Sequence, residues 1–327
     1  MGQFGRRQFL IAASASFAAQ FARAQQPGRT YRVGALFAPG AEAMQQYRSA
    51  LSEGLSTHGF VEGRNLRIEH RSSGFGTAEA QNAVTALLAL NPDALFILLV
   101  SGTRAAQSVT RTVPIVFAWV TDPVGSGLVK SYALPGGNIT GVTNRYVELV
   151  VKRLEFAREL VPDVKRVAVA WAVGLRYQEV APQFRSAAKQ LGIDLIELGL
   201  MGPENTVAHA ARGGAEVIIP FPQYTSFGYR AHGEQVARAA LERRIPVIFA
   251  GAEMVEAGGL MSYGTNIVDD VRRGADLLAR VLKGEKPANL PVDQAARFEL
   301  AVNLKTAKAI GITIPPSIML RADTVIE

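Results

Sequence analysis

The chain contains no cysteine in 327 residues, and its four histidines, His58, His70, His209 and His232, stand far apart. The first absence excludes disulfides, thiolate nucleophiles, cysteine-linked lipids and sulfur-ligated metals. The second removes a zinc site, because no two imidazoles have ligand spacing. A G-x-S-x-G elbow, the commonest serine-hydrolase signature, is also missing, and Ser126 between two glycines does not supply its spacing. No catalytic residue, metal or cofactor is expected. Only 19% of residues are charged and 8% aromatic, whereas 48% are hydrophobic, enough to bury a large core and form two lobes.

An excess of one charge is lacking too. The net +7 includes Arg6, Arg7 and Arg23 with no acid among the first 24 residues; without them 32 basic residues face 28 acidic ones, a net +4. The remaining basic residues are scattered, as in "KRLEFAREL", which reads as a solvated helix face on which they alternate with acids. Nucleic acid is not an expected partner, and a weak preference for an anionic ligand is all this balance permits.

Those first 24 residues, "MGQFGRRQFLIAASASFAAQFARA", have the layout of an export signal: Arg6 and Arg7, an apolar stretch from Phe9 to Ala22, then small residues at Ala22 and Ala24. "RRQFL" resembles the twin-arginine consensus, with Gly5 where Ser or Thr is preferred, so Tat is the expected route and Sec the fallback. The apolar stretch has 14 residues, short of the roughly 20 a bilayer requires, so a retained anchor is the weaker reading. Cleavage after Ala24 and a soluble periplasmic protein are expected, since no other segment approaches transmembrane length.

From Tyr31 onward, short apolar runs alternate with amphipathic stretches of helical length, the pattern of parallel sheets covered by helices. Strands are expected at "YRVGALF", "LRIEH", "ALFILLV" and "PIVFAWV", with helices over 43–58, 77–90 and 103–110. The helix "VELVVKRLEFARELV", stopped by Pro162, opens a second series. Its strands are "RVAVAWA", "IDLIEL", "EVIIP" and "PVIFA", with helices over 178–191, 206–211 and 229–243. A tail holds "GGLMSYG", a helix over 268–282, the extended "KPANLPV" and "RFELAVNLKTAKAIGI". Two βα lobes with a leftover tail imply a chain that crosses between them more than once.

The segment "DPVGSGLVKSYALPGGNITGV" raises the question of a phosphate loop, but it lacks the third glycine of a dinucleotide fingerprint and the lysine of a Walker loop. Its glycines are expected to serve turns. After the third strand, Ser101, Gly102 and Thr103 open an expected helix, whose free N–H groups and hydroxyls would suit a ligand carboxylate. An ordinary N-cap by Ser101 is the competing reading. Ligands of open α/β sheets bind beyond the carboxyl ends of strands, and Trp119 to Pro123, including Asp122, follow the fourth strand.

"PIVFAWVTDPVGSGLV", "PGGNITGVT", "KRLEFARELVPDVKRVAV", "MVEAGGLMSYG" and the C-terminal "KPANLPVDQAARFELAVNLKTAKAIGITIPPSIMLRADTVIE" resemble the ABC-transporter solute-binding proteins that include tryptophan- and tyrosine-binding members. The resemblance covers nearly all of the chain after the signal. It implies a type I periplasmic-binding-protein fold: two Rossmann-like lobes with parallel sheets, joined by three crossovers near Thr143, Ala252 and Leu290, closing on a ligand. Lobe 1 would comprise 31–143 and 253–290, and lobe 2 144–252 and 291–327. It also implies that Ser101, Gly102 and Thr103 hold a ligand carboxylate, with Trp119, Asp122 and Pro123 beside them. Pro222 stands where amino-acid-binding members carry an acid, which argues against an α-amino group in the ligand. Glu253 could replace that charge or be a solvated hinge residue. Trp171, Tyr177, Phe221, Tyr224 and Tyr263 could form a wall for a planar ligand, lobe core being the competing role. The implied partners are a small organic solute, an ABC permease and its ATPase subunit, with the protein acting as a monomer. An enzyme on the same scaffold, or a sensor presenting its ligand to a receptor, are the rival readings.

Overall fold

The computed structural model describes residues 28–37, 41–73, 77–170, 177–199, 201–221, 230–295 and 297–327. The export signal expected over 1–24, Trp171, Pro222, Tyr224 and the side chain of Tyr177 lie outside the described residues.

The first lobe opens as β1 (Tyr31–Phe37), α1 (Ala41–Thr57), β2 (Leu66–Ser72), α2 (Thr77–Leu88), β3 (Ala94–Leu98), α3 (Val100–Val109), β4 (Ile115–Val120) and β5 (Ile139–Thr143). The chain then runs into α4 (Tyr146–Leu160), β6 (Arg166–Ala170), α5 (Tyr177–Leu191), β7 (Asp194–Leu198), α6 (Pro203–Arg212), β8 (Val217–Pro220), α7 (Arg230–Glu242), β9 (Ile248–Phe249), α8 (Glu253–Glu256) and β10 (Met261–Gly264). It returns through α9 (Ile267–Leu282) and β11 (Asp293–Gln294), and ends with β12 (Glu299–Asn303), α10 (Leu304–Ile310), α11 (Pro316–Met319) and β13 (Thr324–Ile326).

Six strands in the order β11-β5-β4-β3-β1-β2, all parallel, form the first sheet. Alternation along β1 shows why it sits between two helical layers. Val33, Ala35 and Phe37 join the core beneath α1 and α9, with Leu51 and Leu278. Leu36 joins the opposite core beneath α2 and α3, with Val84 and Ala105. Each buried aliphatic side chain of this kind contributes about 1.5–3 kcal/mol.

The second lobe has the strands β7-β6-β8 and β13-β12-β10-β9, with a bridge between Ile218 and Val247 linking the two sets. One pair departs from the expected parallel order: β12 runs antiparallel to β10. The path of the chain explains this. It leaves the second lobe at the carboxyl end of β10, and re-enters from that same edge after β11, so β12 must run the opposite way.

These pairings also move two expected crossovers. The chain crosses after Gly264, not near Ala252, because β10 pairs with β9 and β12 in the second sheet. The return follows Gln294 rather than Leu290, because β11 pairs with β5. Residues 253–264 therefore belong with the second lobe and 291–294 with the first. At the first crossover, β5 ends at Thr143 and α4 begins at Tyr146. Both sheets thus present their carboxyl edges to the three crossovers, the place where open α/β sheets bind ligands.

Candidate functional site

The helix after β3 begins at Val100, three residues earlier than expected, with Leu99 as its N-cap at φ 71°. A leucine in the left-handed region is strained by roughly 1–3 kcal/mol, so the packing around it must fix the turn. The early start changes the roles of the residues that follow. Thr103 is fully buried, and its hydroxyl donates 2.8 Å back to the Leu99 carbonyl. Gly102 lies against the sheet, where a Cβ would come 2.9 Å from Ile97 and 3.1 Å from Leu36. Ser101 alone of the three has a partly exposed side chain, and it lies in the first helical turn, where backbone N–H groups lack intrahelical partners.

Beyond β4, the ladder with β5 slips between Phe117 and Val120, and Trp119 adopts φ 57° in that irregularity. The twist turns the Trp119 indole toward the second crossover, where Nε1–H donates 3.3 Å to the Thr265 hydroxyl. Asp122, at φ 42°, accepts the Gly125 N–H at 2.8 Å, and the Pro123 carbonyl accepts N–H groups of Leu128 and Val129. Arg104 and Gln107 of α3 donate to the carbonyls of Ser126 and Gly127. The front of the glycine run is thus a turn docked on α3, and its back leads into β5.

The expected second-lobe contacts divide. Phe221 is buried, with Tyr146 at 4.6 Å and Phe184 at 5.6 Å between ring centroids, so it belongs to the lobe core. Tyr263 packs on Phe156 at 5.1 Å and on Phe298 of the third crossover at 5.9 Å. It braces the hinge rather than lining a wall with Phe221. Burial, chiefly, raises the pKa of Tyr47 on α1 and so disfavours its ionisation, and the charge of Glu253, at the start of α8, adds to this.

One residue escaped the sequence reading. Arg153, placed there on a solvated helix face, is fully buried. Its Nε–H donates 2.7 Å to the Tyr263 carbonyl, while Nη1 and Nη2 have no hydrogen-bond partner. The guanidinium lies 4.9 Å from the centroid of the Tyr146 ring, whose own buried hydroxyl is likewise unpartnered. Burial lowers the Arg153 pKa from its ordinary value, which Tyr146 only partly opposes. Gly264 closes this corner: its Cβ position is 3.4 Å from Nη2 and only 1.9 Å from the Ala250 carbonyl oxygen, so no larger residue fits there. The signal was present in the sequence, because Arg153 shares the buried stripe of Tyr146, Val150, Leu154 and Ala157.

Among the described residues, no group of three or more His, Cys, Asp or Glu side chains could hold a metal ion, and no helix is long and apolar enough to cross a membrane.

The chain is 24% identical over 272 residues to a tyrosine-binding protein of Clostridioides difficile, covering 83% of this chain and 78% of that protein. Its structure is similar to that of a conserved domain protein from Vibrio cholerae, with a TM-score of 0.82 and 28% identity, covering 91% of this chain and all of that one. It also resembles an ABC domain from Streptococcus pneumoniae solved in complex with L-Trp, with a TM-score of 0.80 and 24% identity over the same shares. Residues 38–326 match the profile of the ABC transporter substrate binding proteins, whose two-lobed fold is the one described above. The chain belongs to that family.

Proposed function

We propose that the chain is the solute-binding component of an importer, capturing a small organic carboxylate with an aromatic or other planar part between its lobes. It acts as a monomer in the periplasm and delivers its ligand to a membrane permease driven by an ATPase subunit. The observation that carries this reading is the meeting of the two carboxyl edges at the crossovers, where the Trp119 indole donates to the Thr265 hydroxyl. Such an arrangement holds a ligand by hinged closure and requires no covalent step. The names of the relatives, one tyrosine-binding and one bound to L-Trp, support an aromatic ligand. The "RRQFL" start supports export. Ser101, the α3 backbone at Gly102, Trp119, Asp122 and Pro123 form the first-lobe rim, with Glu253 opposite them.

A thermal-shift screen of the purified protein against aromatic acids, amino acids and purines tests this, since a ligand that binds only the folded state raises the melting temperature. The expected result is a shift with aromatic carboxylates. A shift with purines alone, or with no carboxylate, would overturn the reading.

A further inference from the structure

Arg153 is a permanent cation with two unused donor nitrogens, enclosed at the carboxyl edge of the second sheet. A buried charge without a counter-charge is strongly unfavourable, and proteins keep one where something else completes it. The surroundings do not complete it. Its contacts are the carbonyl of Tyr263, the side chain of Tyr146, which is neutral and supplies no counter-charge, and the bare backbone of Gly264. The nearby polar groups carry no negative charge to offset it: the neutral Tyr146 hydroxyl, and Nδ2 of Asn144, whose Oδ1 accepts the Tyr146 N–H at 3.1 Å. A guanidinium and neighbouring donors without an anionic partner describe a receptor for an oxyanion, and a planar guanidinium fork matches a carboxylate in particular.

We propose that the carboxylate of the captured solute is anchored in the second lobe by the Arg153 guanidinium, with Tyr146 and Asn144 beside it. This rests on the reading that the chain captures a carboxylate, and moves the anion site from the α3 start to the opposite lobe. Thr103 cannot compete for it, because its hydroxyl hydrogen is already given to Leu99. The site lies beside the first and second crossovers, since Tyr146 stands two residues after Asn144 and Gly264 precedes Thr265. A ligand held there therefore engages the segments about which the lobes close.

The test uses matched pairs of probes, phenylacetate with phenylacetamide and L-tyrosine with L-tyrosinamide, titrated calorimetrically into wild type and Arg153→Met. Wild type is expected to prefer at least one acid over its amide about 100-fold, as a charge-assisted fork implies. In Arg153→Met that preference disappears while the amide keeps its affinity within about threefold. The ligand-free variant should melt at the same temperature as wild type or higher, because an apolar side chain replaces an unpaired charge. Should Arg153→Met fail to fold, Arg153→Lys serves, with the acid weakened about tenfold and the amide unchanged. An undiminished acid preference in the folded variant overturns the Arg153 assignment alone. Failure of every acid to bind wild type overturns the carboxylate reading, and the assignment with it.

Discussion

A hydroxyl at a helix start can serve the helix or a ligand, but it has one hydrogen to give. Thr103 gives its hydrogen to the Leu99 carbonyl at 2.8 Å inside the core, whereas the Ser101 side chain is partly exposed in the same helical turn. Thr103→Val is therefore expected to lower stability by about 1 kcal/mol in urea denaturation while leaving ligand affinity within twofold. Ser101→Ala is expected to weaken the ligand about fivefold, the equivalent of one hydrogen bond to a neutral polar group, with little change in stability. The opposite pattern would return Thr103 to the site. The sequence placed both residues after the third strand, but no local pattern reveals which hydroxyl turns inward. Arg153 shows the complementary case: its place in an apolar stripe was readable, whereas the missing acceptor opposite depends on Tyr263 and Gly264, more than 100 residues away.

At the scale of elements, the glycine run separates two uses of the same residue. Gly141 lies in β5 against the irregular end of β4, where a Cβ would fall 2.1 Å from the Phe117 carbonyl oxygen and 2.5 Å from its ring. Gly137, four residues earlier, has nothing within 4 Å of that position. Gly141→Ala must push the strands apart, and a loss of about 2–4 kcal/mol is expected in urea denaturation. Gly137→Ala should stay within about 0.5 kcal/mol. Equal effects would mean that the run matters as a flexible tether rather than as a packing device. The alternation of apolar residues made nearly every long element legible from Tyr31 onward, because burial on two faces imposes it. The start of α3 was not legible, since it rests on Leu99 in a backbone region that leucine rarely adopts.

At the scale of the molecule, two lobes followed from two βα series, but the crossover positions did not. The four residues of β10 read as tail until β9 and β12 claim them for the second sheet, and those pairings are nonlocal. The crossover after β10 carries a charge problem that governs the whole chain. Asp270, in the first turn of α9, is 2% exposed, and its Oδ2 has no hydrogen-bond partner. Burial, chiefly, pushes its pKa up to about 7, and the charges of Asp269 and Asp293 add to this, while the Thr265 hydroxyl and Arg273 pull it down. Below the ordinary value of 3.8 the carboxyl is protonated in folded and unfolded chains alike, and it sets no difference between them. As pH rises above that value the unfolded chain releases the proton first, so stability falls until the folded carboxyl also ionises near pH 7. A shift of about three pH units corresponds to as much as about 4 kcal/mol. Asp270→Asn removes the penalty without removing the hydrogen-bonding shape. It is expected to unfold at a higher urea concentration than wild type at pH 8, with the gap reduced to about a quarter at pH 4.5 and closed only below the ordinary value of 3.8. A gap independent of pH, or a less stable variant at pH 8, would show that the folded chain holds Asp270 ionised and satisfied. The Trp119 indole shares the Thr265 hydroxyl with this carboxyl, so the same titration should alter tryptophan fluorescence near pH 7 in wild type and not in Asp270→Asn.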